Sequence, residues 1–479
     1  MSIKNSVHLI VYPNSLGENL ADLNTILQTH ASNLFGGVHI LPFYPSNGDR
    51  GFSPLTHLEV DPKYGGWDDI KKLSEKYDLT ADLIVNHVSE SSLYVQDCLK
   101  NGKKSIYWDM LLWTEKLHAN GHIPDNIMDK VYRRKFRYPV KALKVMDLPV
   151  EVWNTFGDDQ IDVDIDSLKT KEIFEDYIAA LASHGISTLR FDAVGYIIKR
   201  LGTTCFFQTP EIYDYMTWAK EICDKYHVEI LPELHLDYKA QLDLASHGYW
   251  VYDFALPVLV LHTLYEKNTH NLKKWLAICP QNQVTVLDTH DGIGMVDVTG
   301  LLTVVQTHKV QENINKKGGD EVSIASGTAS DNVDIYQINC TYYSALGEDD
   351  DLYIMARAIQ FFTPGVPQVY YVGWLAGSND NDLVKATHHG RDINRHSYIE
   401  SEVGANMKRH VVQRLNKIIK FRSEYKAFDG RIEVVDSEDS QLIITWKNGD
   451  LSTTLKIDTI ANTAQIRYLE DSIEKIFVA

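Results

Sequence analysis

The sequence predicts an α/β fold: a (β/α)8 barrel with two loop insertions over the barrel mouth and a small C-terminal β-domain. Three features of the 479-residue chain point there. Its first two thirds repeat one unit, a short apolar run followed by a segment of helical spacing, and eight such runs occur. The runs are near-continuously apolar, as strands covered on both faces of a parallel sheet must be. Past about Gly430 the helical spacing stops and alternating strand patterns take over.

The apolar runs occupy residues 9–13 (LIVYP), 38–43 (VHILPF), 82–87 (DLIVNH), 188–194 (TLRFDAV), 229–234 (EILPEL), 252–256 (YDFAL), 284–291 (VTVLDTHD) and 366–372 (VPQVYYV). Helical segments lie between them. Phe174, Tyr177, Ile178 and Leu181 fall at i, i+3, i+4 and i+7, forming one apolar stripe that Gly185 terminates. Thr209 and Pro210 read as a helix N-cap and first helical residue. Eight runs with interleaved helices fit a closed barrel, although periodicity alone also admits an open doubly wound sheet.

Two intervals are too long for simple βα loops, and long loops in compact domains usually carry function. Residues 88–168 are expected to be an insertion after the third strand, and 292–350 one after the seventh. The barrel then comprises 1–87, 169–291 and 351–429. Residues 430–479 form the terminal β-domain, with strands RIEVV, QLIITW and STTLKI and a hairpin turn at Asn448-Gly449.

The formal charge is −18, which excludes the basic footprint that nucleic acid or an anionic membrane requires. The five cysteines (Cys98, Cys205, Cys223, Cys279 and Cys340) are scattered and form no CxxC pair, so neither a disulfide framework nor a structural zinc site is expected. The first 16 residues lack the basic start, apolar core and cleavage site of a signal peptide. The most apolar stretch, 250–265, carries Asp253 and Pro257 and is too short to span a bilayer. The expectation is a cytoplasmic protein that acts on small molecules as a monomer or homodimer.

Asp192, Glu233 and Asp291 each fall at or just past the C-terminal end of a barrel run. In a barrel of this kind the catalytic groups come from several strand ends on that one face, so three acids distant in sequence should converge. Taken singly, each could be a helix N-cap or an ion-pair partner. Taken together, with Arg190 two residues before Asp192 and His290 beside Asp291, they match glycosyl transfer with retention. There one ionised carboxylate attacks the anomeric carbon and one protonated acid serves the leaving oxygen. Arg190 is expected to keep Asp192 ionised, and neighbouring like charges to raise the pKa of Glu233.

The stretches DLIVNH, LRFDAV, EILPELH and VLDTHDG resemble, in order and spacing, the four signature regions of the α-amylase family. Longer strings, among them GVHILPFYPSNGDRGFSPLTH, TVLDTHDGIG, PGVPQVYYVG and GRDINRH, resemble its sucrose phosphorylase branch over nearly the whole chain. The resemblance implies a TIM barrel, with Asp192 as the nucleophile, Glu233 as general acid/base and Asp291 as transition-state stabiliser. It implies a polar ring of His87, Arg190 and His290 around the glucosyl unit, and Asp49 with Arg395 at that unit's non-reducing end. Phe52 matches an aromatic wall, and Tyr196 and His235 match lesser contacts. For the acceptor it implies Asp334, Tyr336 and Gln337 of the second insertion, opposite Phe156 and Gln160.

Residues 130–144 (KVYRRKFRYPVKALK) hold seven basic residues and no acid. A bare charge run is usually a solvated face. This one lies in the insertion expected over the barrel mouth and resembles the family's phosphate-binding loop. Guanidinium groups there would counter the carboxyl groups below and orient an anion. Arg134 is the first choice, with Arg133 and Lys135 in reserve. The implied reaction converts sucrose and phosphate to α-D-glucose 1-phosphate and D-fructose by double displacement.

No cofactor is implied, since nothing resembles a P-loop or a dinucleotide fingerprint. His388, His389 and His396 lack metal-ligand spacing, and no acid cluster supports the calcium that amylases often bind beside the first insertion. No metal is therefore expected. Three other readings stay open. One is phosphorolysis of glucosylglycerol or sucrose 6'-phosphate, with Lys135 and Arg137 on a second phosphate. The others are a hydrolase or transglucosidase, and an inactive sugar-binding protein.

Overall fold

The computed structural model describes residues 3–134, 137–325, 333–470 and 473–478. Eight strands form one parallel sheet: β1 (His8–Val11), β2 (Gly37–Ile40), β3 (Asp78–Ile84), β4 (Ile186–Asp192), β5 (Glu229–Pro232), β6 (Val251–Asp253), β7 (Gln283–Thr285) and β8 (Val366–Tyr370). Their order, β6-β7-β8-β1-β2-β3-β4-β5, runs sequentially round a ring, and β5 and β6 lie side by side where it closes. This is the TIM barrel; an open doubly wound sheet would reverse its strand order. Arg190 of β4 stands in register with Asp82 of β3 and Leu231 of β5, and Asp192 with Ile84.

The helix Leu168–Ser183 buries Phe174, Tyr177, Ile178 and Leu181, the stripe expected from the spacing, and Ile173 beside it. The chain leaves it at Gly185, whose φ is +91° and where a Cβ would stand 2.4 Å from Ser74 Oγ. The next helix starts at Glu211, with Pro210 itself in the cap position. Thr209 is therefore not the cap; it lies one residue outside, and its carbonyl accepts from Arg200 at 2.8 Å. No helix among the described residues is long and apolar enough to cross a membrane.

Between β3 and β4 the chain folds into small antiparallel pairs, His87–Ser89 with Gln160–Asp162 and Val140–Val145 with Leu148–Trp153. Between β7 and β8, Ile293–Gly294, Val333–Asn339 and Asp320–Ala325 form a three-stranded antiparallel sheet. Five antiparallel strands, Arg431–Val435, Gln441–Asn448, Leu451–Asp458, Thr463–Glu470 and Ile473–Val478, make the C-terminal sheet. Trp446 fixes this sheet to the barrel by donating Nε1–H to the Phe362 carbonyl at 2.9 Å. Asn448 pairs with Leu451, so the hairpin turn is Gly449-Asp450, one residue later than the sequence predicts. Gly449 takes the left-handed position (φ +57°), which leaves Asn448 in the ladder with its side chain bonded to the Lys426 carbonyl.

Candidate active site

Asp82, on β3, has no solvent exposure and anchors the floor of the site. Its Oδ2 meets His39 Nε2 at 2.9 Å, and its Oδ1 accepts from Arg190 Nη1 at 2.5 Å. The same Nη1 donates to Asp192 Oδ1 at 2.9 Å, while Nη2 stands 3.5 Å from Glu233 Oε1. One guanidinium thus serves three carboxyl groups, all brought together by the register of neighbouring strands. Ala193, directly after β4, has φ +57° and donates its N–H to Glu233 Oε2 at 2.9 Å. That left-handed turn ties the end of β4 to the loop after β5.

Glu233 also meets His235 Nε2 at 3.3 Å, and His235 Nδ1 lies 3.1 Å from Asp297 Oδ2. Asp291 lies beyond β7, where the chain has left the ladder; it pairs with Arg391 at 3.1 Å and approaches His290 Nε2 at 3.5 Å. Phe52 stacks on His290, with centroids 4.8 Å apart and planes 6° from parallel. Phe52 is held by its carbonyl, which accepts from Gln160 Nε2 at 2.9 Å and from His87 Nε2 at 2.8 Å. Arg395 donates twice to the His290 carbonyl, at 3.0 and 3.1 Å. These groups surround a cleft of about 690 Å³.

The protonation pattern differs from the sequence expectation. Burial pushes Asp192 well above the usual carboxylate range; Arg190 opposes this, and Glu233 and Asp82 add to it. Burial would also raise Glu233, but Arg190 and then His235 outweigh it and hold the carboxyl at about 2. Burial works against a charge on His235 too, yet Asp297 and Glu233 lift it to about 10. Asp291 is held far below its ordinary value by His290, Arg391 and Arg395 against the effect of burial. The two acids are therefore shifted in opposite directions, Asp192 upward and Glu233 downward. The reversal arises because Arg190 is shared with Asp82, whereas Glu233 has a second cation in His235.

The matches with known proteins follow this geometry. The model of the α-amylase catalytic domain matches residues 34–300. The chain is 44% identical over 486 residues to the sucrose 6(F)-phosphate phosphorylase of Thermoanaerobacterium thermosaccharolyticum, covering 99% of each chain. It is 45% identical to the glucosylglycerol phosphorylase of Marinobacter adhaerens, covering 98% of each. The sucrose phosphorylase of Streptococcus mutans is 43% identical, with 96% of each covered. The chain belongs to the α-amylase family. A solved structure of sucrose 6F-phosphate phosphorylase from Thermoanaerobacter thermosaccharolyticum superposes with a TM-score of 0.98 at 44% identity, covering 100% of this chain and 99% of that one.

Of the residues named from sequence, Phe52, His87, Phe156, Gln160, Asp192, Tyr196, Glu233, His290, Asp291, Gln337 and Arg395 line the cleft. Arg190 lies beneath it, and His235 faces a smaller cavity that shares Asp291. The side chains of Asp49, Asp334 and Tyr336, and Lys135 altogether, lie outside the described residues. From the basic run, Arg134 reaches the cleft, with its guanidinium 5.8 Å from the Phe156 ring and 5.9 Å from that of Tyr196. Arg133, the reserve candidate, is not brought to the cleft; it is buried with its guanidinium over Tyr138 at 5.4 Å. Adjacent in sequence, Arg133 and Arg134 thus meet different surroundings. Arg137 is bonded to Asp158, to Asn154 and to the Val140 carbonyl.

Several residues of the site escaped the sequence reading. Arg50, His389, Arg391 and Asp392 also line the cleft, and Arg50 pairs with Asp392 at 3.1 Å. Asp82 was visible only as the first letter of an apolar run. Lys199 is nearly inaccessible, and its ammonium lies among Asn86 Oδ1 at 2.7 Å, Asp162 Oδ2 at 2.8 Å and the Tyr196 carbonyl. The oxygens beside the first insertion therefore already serve a cation from the chain, and this donor set does not fit calcium. Among the described residues, Glu233, His235 and Asp291 are the one acid and histidine group compact enough for a metal. Arg190, Arg391 and Asp297 already partner them.

Proposed function

We propose that the chain is a retaining glucoside phosphorylase that converts sucrose and phosphate to α-D-glucose 1-phosphate and D-fructose. The observation that carries this reading is a guanidinium, Arg134, entering the same cleft as Asp192, Glu233 and Asp291. Three carboxyl groups alone would serve a hydrolase equally well; a fixed cation at their rim suits an anionic acceptor. Arg190 contacts both Asp192 and Glu233, which favours the close spacing of about 5 Å that a retaining pair needs. The relatives at 43–45% identity carry names of three glucoside phosphorylases, in support of the same reaction class.

In the first step Asp192 attacks the anomeric carbon while Glu233 protonates the departing oxygen, leaving a β-glucosyl ester on Asp192. Phosphate held by Arg134 then attacks the same carbon from the face that fructose left, so the α configuration is kept. For this step order Asp192 must be ionised and Glu233 must deliver a proton once the donor is bound. As the bond to the leaving oxygen breaks, positive charge develops at the anomeric carbon beside Asp192, which favours its ionised form.

Two features of the chain suit a plain fructosyl unit. Gln337 lines the cleft with its side-chain N–H buried and without a partner among the described residues, a donor suited to a fructosyl hydroxyl. Arg137, which could have met a second phosphate, is engaged by Asp158. The test is one panel of sucrose, sucrose 6'-phosphate and glucosylglycerol, each with and without phosphate. Glucose 1-phosphate from sucrose above the other two is expected. Release of glucose at an unchanged rate without phosphate would mark a hydrolase, and no product from any donor a binding protein.

A further inference from the structure

His235 lies between two acids, 3.3 Å from Glu233 Oε1 through Nε2 and 3.1 Å from Asp297 Oδ2 through Nδ1. A neutral imidazole has one N–H and one lone pair, so it can donate to only one carboxylate; between two ionised carboxylates the ring is satisfied only with a proton on each nitrogen. The surroundings are shaped for that cation. Phe254 stacks on the ring at 4.0 Å with planes 18° apart. At Gly294 a Cβ would stand 2.2 Å from Asp297 Oδ2, so only glycine leaves that carboxylate in place. Asp297 itself is 3% exposed. Nothing in the proposed reaction uses it.

Glu233 has the complementary arrangement. Its Oε2 accepts from the Ala193 N–H, and its Oε1 faces His235 and Arg190. Donors at both oxygens suit a carboxylate, yet the first step asks this group to deliver a proton. We propose that Asp297 and His235 are positioning residues that hold the proton which Glu233 delivers. As the C–O bond of the donor breaks, its electron pair stays with the leaving oxygen. A proton passes from His235 Nε2 to Glu233, and the Glu233 carboxyl gives a proton to that oxygen. His235 is left neutral, with Nδ1–H on Asp297. In the second step the acceptor's proton returns through Glu233 to Nε2, and the imidazolium is restored. The charged groups facing this chain are Asp291, whose carboxylate lies within 4.8 Å of the Glu233 and His235 ligand atoms, Arg190 at Glu233, Arg391 at Asp291, and Asp253, whose carboxyl feels the charge of Asp297. The raised pKa of His235 agrees with this assignment.

The inference rests on the reading of Glu233 as the acid/base, and the experiment separates the two. The pH dependence of kcat/KM is measured for wild type, Asp297→Asn and Glu233→Gln, each with the natural glucoside and with α-glucosyl fluoride, whose leaving group needs no proton. Loss of one carboxylate partner lowers an imidazolium pKa by about 1–3. In Asp297→Asn the alkaline limb for the glucoside should therefore move down by about one pH unit or more, and the limb for the fluoride should stay. Limbs unmoved for both substrates, or a common loss of rate, would make Asp297 structural and overturn the proposal. Equal losses with both substrates in Glu233→Gln would instead remove the acid/base reading itself. Should Asp297→Asn fail to fold, ring-nitrogen NMR of wild type decides, with His235→Gln assigning the signal. A ring protonated at both nitrogens through pH 8 is expected, and one that loses a proton near the ordinary value of about 6.5 refutes the proposal.

Discussion

Arg190 stands 2.5 Å from Asp82, 2.9 Å from Asp192 and 3.5 Å from Glu233, so the charge state of the pair depends on how one cation is divided. On the proposed reaction, Asp192→Ala removes the attacking oxygen. Turnover should fall by at least about a thousandfold, on the order of 4 kcal/mol of barrier. The melting temperature should not fall with it, because a buried acid that burial already disfavours is removed. Activity within about tenfold of wild type would move the nucleophile elsewhere. Glu233→Gln should spare glucosyl fluoride far more than the glucoside, since only the second needs a proton. On the same proposal, Arg134→Ala acts on the second step alone. Two like charges at 4 Å repel by about 4 kcal/mol at an effective dielectric near 20, so phosphate without a compensating cation is turned away from Asp291 and Glu233. The ratio of phosphorolysis to hydrolysis should fall sharply while release of fructose persists; an unchanged ratio would place phosphate away from this residue.

Among elements, the short strand Gln160–Asp162 links the first insertion to the site, because it pairs with His87–Ser89 and presents Gln160 to the Phe52 carbonyl. Its far end is fixed by Asp162, which has no exposure and accepts from Lys199, Asn86 and Thr155. Lys199→Met should leave that carboxylate buried without its cation, at a cost of about 3–5 kcal/mol. The melting temperature should drop, and adding Asp162→Asn should recover much of the loss. Failure of the second substitution to recover stability would show that Lys199 acts through packing. The strand ends that carry the acids were legible in the sequence because Asp192, Glu233 and Asp291 interrupt or end apolar runs. The partners of these elements were not, since Lys199 and Asp162 stand 37 positions apart and meet only when the insertion folds back.

For the whole molecule, buried histidines set the acid limit of stability. Burial holds His8 and His290 at about 4 and His57 at about 3, so they stay neutral in the fold where the unfolded chain would protonate them. The unfolded state therefore binds more protons below about pH 6.5, and stability should decline from there toward pH 4. Asp82, held at about 2, adds stability above its ordinary range that is lost as the pH falls through that value. His235 works in the opposite sense: its contribution is complete below about 6.5 and disappears as pH rises through about 10. Melting temperature against pH should thus peak near neutrality, and a flat profile down to pH 4 would mean that the histidines are charged in the fold. By itself the sequence determined the barrel, the C-terminal sheet and the three acids, because periodicity and strand-end position are local properties of the chain. The tertiary structure alone decided which basic residue enters the cleft, in which direction each acid of the pair is shifted, and the place of Asp297 beside His235. These depend on how far desolvation and shared cations act on each group, and such distances exist only once the strands stand side by side.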